Sequence, residues 1–211
     1  MELIIVMVVT GIIALITPVL LFHGVKAIVF LPRAVTVNHA ATEVMHQVIE
    51  GGYSILVGQT TIRGLRFAVK RSATEPALWL IEDDRVGFRT SDGQSVVIRW
   101  DSTTVNQEVI KRSLTAVACP PILGTEEVLP YYAQDPQSTL RVRIVRITPT
   151  TPVFQYYNQG GTPVGTPACS LSGITTVRRV DVSFIAQTGG GNFDQGDTQE
   201  TVTSSVAIRV P

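Results

Sequence analysis

Hydrophobic positions fall into three regimes along the chain. The first is Leu3 to Phe22, LIIVMVVTGIIALITPVLLF, twenty residues with no ionisable side chain. At about 1.5 Å rise per residue, a helix of that length matches the roughly 30 Å hydrocarbon core of a bilayer, so the run predicts a membrane span over 3–22. A secretory signal would show a basic n-region and a small-residue cleavage site. Here only acidic Glu2 separates Met1 from the run, so the helix is expected to stay on the chain. Pro18 removes one helix hydrogen bond inside the run and predicts a kink there.

The second regime begins near Arg33. Ala34, Val37, Ala41, Val44 and Val48 recur at spacings of three and four, with Asn38, Glu43, His46 and Gln47 off the stripe. That is the pattern of an amphipathic helix, and Gly51-Gly52 is a natural stop. His39 and His46 are seven apart, and they are read as solvated or packed helix histidines rather than a metal pair. Residues 53–75 fit a short helix or a strand around Leu65 equally well.

Beyond them the period settles near two. Ala77 to Glu82, Val86 to Thr90, Ser95 to Trp100 and Thr104 to Arg112 are strand candidates, with Ser91-Asp92-Gly93 as a hairpin turn. They predict an antiparallel meander. Ala116 to Gln137 has no clear period and reads as an irregular excursion. Thr139 to Ile147 alternates, with Arg141, Arg143 and Arg146 expected on the solvated face of a half-buried strand rather than at an anion site. Val153 to Asn158, Ile174 to Thr188 and Thr198 to Val210 complete the strands, with a bulge expected near Arg178-Arg179, where the apolar step widens to three.

The fold class expected is α+β: a long N-terminal helix, membrane-spanning in its first half and amphipathic in its second, packed on a mostly antiparallel β-sheet domain. Residues 1–52 form the helix and 53–211 an extracytoplasmic β-rich domain, since about 160 residues make one core. Seventeen basic and seventeen acidic residues cancel, which argues against a nucleic-acid surface or a polybasic lipid patch. Cys119 and Cys169 are read as a disulfide, the alternative being two unrelated buried thiols; no CxxC-type spacing suggests metal. Asp194, Asp197 and Glu200 form a weak calcium candidate in the loop GGGNFDQGDTQ, but their spacing is not that of an EF-hand and a polar hairpin loop explains them. No GxSxG elbow, phosphate-binding glycine loop or HExxH motif is present, so no enzyme, cofactor or catalytic residue is expected.

An acid heading an uninterrupted apolar helix is costly unless it meets a cation. The segment MELIIVMVVTGIIALI resembles the N-terminal segment of type IV pilins and type II secretion pseudopilins. The basic leader, the glycine before the peptidase cut and the first mature residues of that family are missing, which leaves a start upstream of Met1 open. The stretch GLRFA, the turn at Asp92-Gly93, Lys111-Arg112 and the run from VFQYYN through ITTVRRVDVSF to ETVTSSVAIR are similar to minor pilins of the W type and pseudopilins of the J type.

The resemblance implies a pilin-like, filament-forming subunit, minor rather than major, in which Glu2 pairs with the N-terminal amine of a neighbour. It also implies other pilin or pseudopilin subunits as partners, inner-membrane lipid before assembly, and a prepilin peptidase if a leader lies upstream. The location implied is the bacterial inner membrane, single-pass, with the globular domain periplasmic or extracellular. The alternative is a single-span anchored binding protein that does not polymerise.

Overall fold

A computed structural model describes residues 2–54, 59–70, 77–103, 108–129, 142–165, 168–171, 174–188 and 198–208. Helix α1 (Glu2–Ile49) is followed by strands β1 (Gly51–Ser54) and β2 (Thr60–Arg63) and a short 3-10 turn (Leu65–Phe67). Then come β3 (Leu78–Glu82), β4 (Arg85–Arg89), β5 (Ser95–Asp101), β6 (Val109–Leu114) and β7 (Glu126–Leu129). The chain closes with β8 (Val142–Val145), β9 (Phe154–Tyr157), β10 (Ala168–Cys169), β11 (Arg179–Thr188) and β12 (Gln199–Ala207).

Two expectations are corrected here. Described side chains of α1 run over 10–25 and 33–49, and no helix among the described residues is long and apolar enough to cross a membrane. The single-pass inner-membrane placement goes with the span. The fold class changes as well: the protein is mostly antiparallel β-sheet, rather than a sheet domain carried on a long helix. A stretch of α1 of about three turns, Val37 to Val48, supplies its buried residues, and strands supply most of the remaining core.

Six strands form one sheet in the order β10-β3-β4-β5-β6-β7, and β12-β11-β8 forms a second, with β9 pairing β11 beside β8. β11 is the spine of the second sheet. Its whole length from Arg179 to Gln187 pairs with β12, while its other edge is shared between β9 at Arg179–Val182 and β8 at Ile185–Thr188. Val180, Val182, Phe184 and Ala186 point inward at period two, as a half-buried strand requires. The register with β12 runs unbroken, so no bulge lies at Arg179; the three-residue step from Val177 ends where the strand begins.

The core is a single cluster between the sheets and α1. Val37, Ala40, Ala41, Val44, Met45 and Val48 line it from the helix, at the spacing that places them on one face. Phe88, Ile98 and Ile110 meet them from the first sheet, and Phe154, Tyr156 and Phe184 from the second. Each such side chain contributes about 1.5–3 kcal/mol when fully buried. The Tyr156 hydroxyl donates within reach of two carbonyls, Glu82 O at 3.0 Å and Arg85 O at 2.8 Å, which pins the β3–β4 turn to the second sheet.

A bulge does occur, on β3. Leu78 pairs with Phe88 and Leu80 with Gly87, so Trp79 is the extra residue. Trp79 and Leu80 thereby cluster with Val97, while Leu78 and Ile81 join the main core. Gly87 makes room for them: a Cβ there would lie 2.8 Å from Leu80 Cβ and 2.9 Å from the Trp79 ring. Segment 116–125, expected to be irregular, covers this second cluster with Val117 and Leu123. Sequence reading missed β7 (Glu126–Leu129) inside that excursion, because four residues opening with two acids carry little periodic signal.

Candidate assembly surface

Every described side chain of α1 from Thr10 to Val25 is exposed. Leu15 is 76% exposed, Leu20 65% and Ile28 74%, values that place whole aliphatic side chains in solvent. A helix that is apolar on all sides is normally a buried one, and contiguous apolar patches of this kind mark contact surfaces. Thr17 folds its polarity inward, donating from Oγ1 to Ile13 O at 2.7 Å, so its methyl group faces outward with the rest. Gly11 and Gly24 have no atom within 4 Å of a notional Cβ, which leaves the helix backbone open to close approach.

The residues singled out in the sequence are dispersed. Glu2 opens α1 and its side chain lies outside the described residues; Pro18 is exposed and sits within α1, which is helical on both sides of it. Cys119 and Cys169 are joined as a disulfide. Asp194 and Asp197 lie outside the described residues, while Glu200 is exposed on β12. Among the described residues no group of three His, Cys, Asp or Glu is arranged to hold a metal. His39 and His46 are exposed on α1.

The strand arginines are not solvated as expected. Arg143 lies 3.6 Å from Glu108, and Arg146 donates from Nη2 to Asp84 Oδ2 at 2.6 Å while its guanidinium stacks 4.8 Å from the Trp100 ring centre. Arg141 lies outside the described residues. Asp84 and Trp100 also line a cleft of about 440 Å³ where the β3–β4 turn meets the end of β5, walled with them by Asp83, Arg85 and Asp101. Its charges are already paired: Glu82 with Arg85 at 2.6 Å, Asp84 with Arg146, and Asp101 with Lys111 at 2.5 Å.

Beside the cleft, β5, β6 and β7 carry a four-charge network. Arg99 makes a two-pronged contact with Glu126 at 2.5 and 2.7 Å, and Lys111 sits between Asp101 and Glu126. Arg99 and Asp101, two apart on β5, share one face, but the Glu126 partner, 27 residues away, has no local sequence signal. Burial pushes the Asp101 carboxyl up, yet hydrogen bonds from Lys111 and Thr103 and the charge of Arg99 outweigh it and leave its pKa well below the usual carboxylate range. Hydrogen bonding from Arg99 lowers Glu126, against a smaller opposing effect of burial.

Both folded-state values lie below the unfolded ones, near 3.9 for Asp and 4.3 for Glu, so the network's stability is complete at neutral pH. It is lost as pH falls below about 4. Urea midpoints measured from pH 7 downward are expected to fall in that window, and Glu126→Gln is expected to flatten the fall. An identical pH profile in the variant would show that Glu126 does not carry it.

No family model matches the chain, and neither does any curated protein or solved structure.

Proposed function

We propose that the protein is a structural subunit, minor rather than major, of a filament of the type IV pilus or type II secretion pseudopilus kind. Copies or relatives associate through the apolar stretch of α1. The observation that carries this reading is the unbroken exposure of α1 from residue 10 to 25, a stretch whose side chains are apolar except for Thr10, Thr17 and His23. Each large side chain there regains about 1.5–3 kcal/mol when covered, so a few helix-to-helix contacts suffice to offset the entropy of association. The second support is the resemblance of MELIIVMVVTGIIALI to the pilin and pseudopilin N-terminal segment. The cleft at the β3–β4 turn favours ligand binding less, because its carboxylates are spent on neighbouring cations.

The test uses the whole chain in detergent-free buffer. Wild-type protein is expected to elute as assemblies, and a Leu15→Cys variant to give cross-linked dimers under a thiol-reactive bifunctional reagent. Leu15→Glu with Leu20→Glu is expected to elute as single copies with an unchanged melting temperature, since both side chains stand in solvent clear of the core. Single copies of the wild type, with no cross-linked dimer from the cysteine variant, overturn the proposal.

A further inference from the structure

Segment 115–125 leaves β6, crosses over the cluster of Trp79, Leu80 and Val97, and returns to the sheet as β7. At its start Thr115 N–H donates to Ser95 O at 3.0 Å, and the Thr115 hydroxyl donates to Ile122 O, which curls the segment on itself. At its end the β6–β7 register from Ser113–Glu126 onward holds the chain again. Between these ends, among the described residues, no backbone hydrogen bond joins 116–125 to the sheet. What fastens the middle is apolar contact from Val117 and Leu123, and the Cys119–Cys169 disulfide to β10, a strand of only two residues at the sheet edge.

We infer that 115–125 is a hinged flap latched by Cys119–Cys169, and that reduction of this bond by a dithiol lifts the flap and exposes the Trp79 patch. Three observations converge on it. Both cysteines are exposed, so a thiolate can reach either sulfur. The joined segments hold the sheet by few backbone hydrogen bonds, so little besides the latch restrains them. The closed state also leaves the Trp79 indole Nε1 fully buried with no hydrogen-bond partner, and opening gives that donor to water.

The redox step balances. One thiolate of the dithiol attacks a latch sulfur, forming a mixed disulfide and releasing the other cysteine as a thiolate. The second thiol of the reductant then displaces the remaining cysteine. The reductant leaves as a disulfide, having given up two electrons, and Cys119 and Cys169 take up protons as thiols. The released state presents an apolar surface of Trp79, Leu80 and Val97 that the oxidised state hides. This inference does not depend on the assembly role of α1, which uses a different surface.

The experiment treats the folded full chain with dithiothreitol in the absence of denaturant, alkylates with iodoacetamide, and follows hydrogen exchange by mass spectrometry. Two thiols are expected to be modified while the far-ultraviolet circular dichroism is retained. The Thr115 amide and peptides covering 78–81 are expected to lose exchange protection, and tryptophan emission to shift to the red. A Cys119→Ser, Cys169→Ser double variant is expected to show the open pattern without reductant. If the bond resists reduction until the sheet unfolds, or if the reduced chain keeps Thr115 and 78–81 as protected as before with unshifted tryptophan emission, the flap is structural only and the inference is overturned.

Discussion

Replacing Glu127 by alanine is expected to lower the unfolding free energy by about 3–5 kcal/mol, among the largest effects of any single substitution in this chain. Arg112 is completely buried, and its Nη2 donates to Glu127 Oε2 at 2.6 Å across the directly paired β6–β7 register. Its Nε and Nη1 have no hydrogen-bond partner, so Glu127 is the carboxylate that compensates the charge. Removing that carboxylate strands a cation in the core, whereas removing both members leaves only a packing change. The double variant Arg112→Met, Glu127→Leu is therefore expected to recover most of the loss, because a buried pair seldom exceeds its own desolvation cost. Equilibrium urea unfolding of the wild type and the two variants decides it. A loss below about 1 kcal/mol in Glu127→Ala, the scale of an exposed pair, would mean that water reaches the guanidinium.

Gly51→Ala is expected to be nearly as damaging, by about 3 kcal/mol, from left-handed backbone strain and steric overlap together. Gly51, the first residue of β1 just past the end of α1, has φ at 89°, and a Cβ added there would lie 2.1 Å from Ile62 O and 2.6 Å from Gly64 N. Both obstacles are backbone atoms of the hairpin partner, so neither can rotate away. Gly64 faces the same junction: its notional Cβ would be 2.4 Å from Ile49 O. The two glycines let the end of the helix and the β1–β2 hairpin touch backbone to backbone. Gly11→Ala is the internal control, since nothing lies within 4 Å of it and alanine favours a helix interior by about 0.5–1 kcal/mol. Thermal unfolding is expected to move down by about 6–12 °C for Gly51→Ala at this chain length and not at all, or upward, for Gly11→Ala. Equal melting temperatures for Gly51→Ala and the wild type would show that the helix end can shift to absorb a side chain.

Much of the β architecture was legible because inward residues alternate. The β3–β6 meander, β8, β9, β11 and β12 each fall within, or overlap, a stretch whose apolar positions step by two. The amphipathic stripe of α1 was legible for the matching reason at period 3.6, and the stop at Gly51 by its residue type. What failed has identifiable causes. The span over 3–22 was inferred from composition and count, and no helix among the described residues is long and apolar enough to cross a membrane. The bulge was placed on β11 from a three-residue step, while the real one, at Trp79, left two large side chains on one outer face that a period-two reading assigns to opposite faces. β7 was missed because its pairing energy comes from β6 and from Arg99, not from its own four residues.

The order of residues by itself determined the local periods, the apolar rod at the front, the glycine stop and the presence of two cysteines. Only the tertiary structure decided which strands became neighbours and that β11 is shared by three partners. The same is true of the buried Arg112–Glu127 pair and of the latch that joins Cys119 to Cys169 across fifty positions. The physical reason is range. Side-chain periodicity and backbone preferences act over a few residues and can be read along the chain. A buried ion pair, a bulge and a disulfide latch are instead selected by the packing of segments far apart in sequence, where desolvation and excluded volume set the outcome.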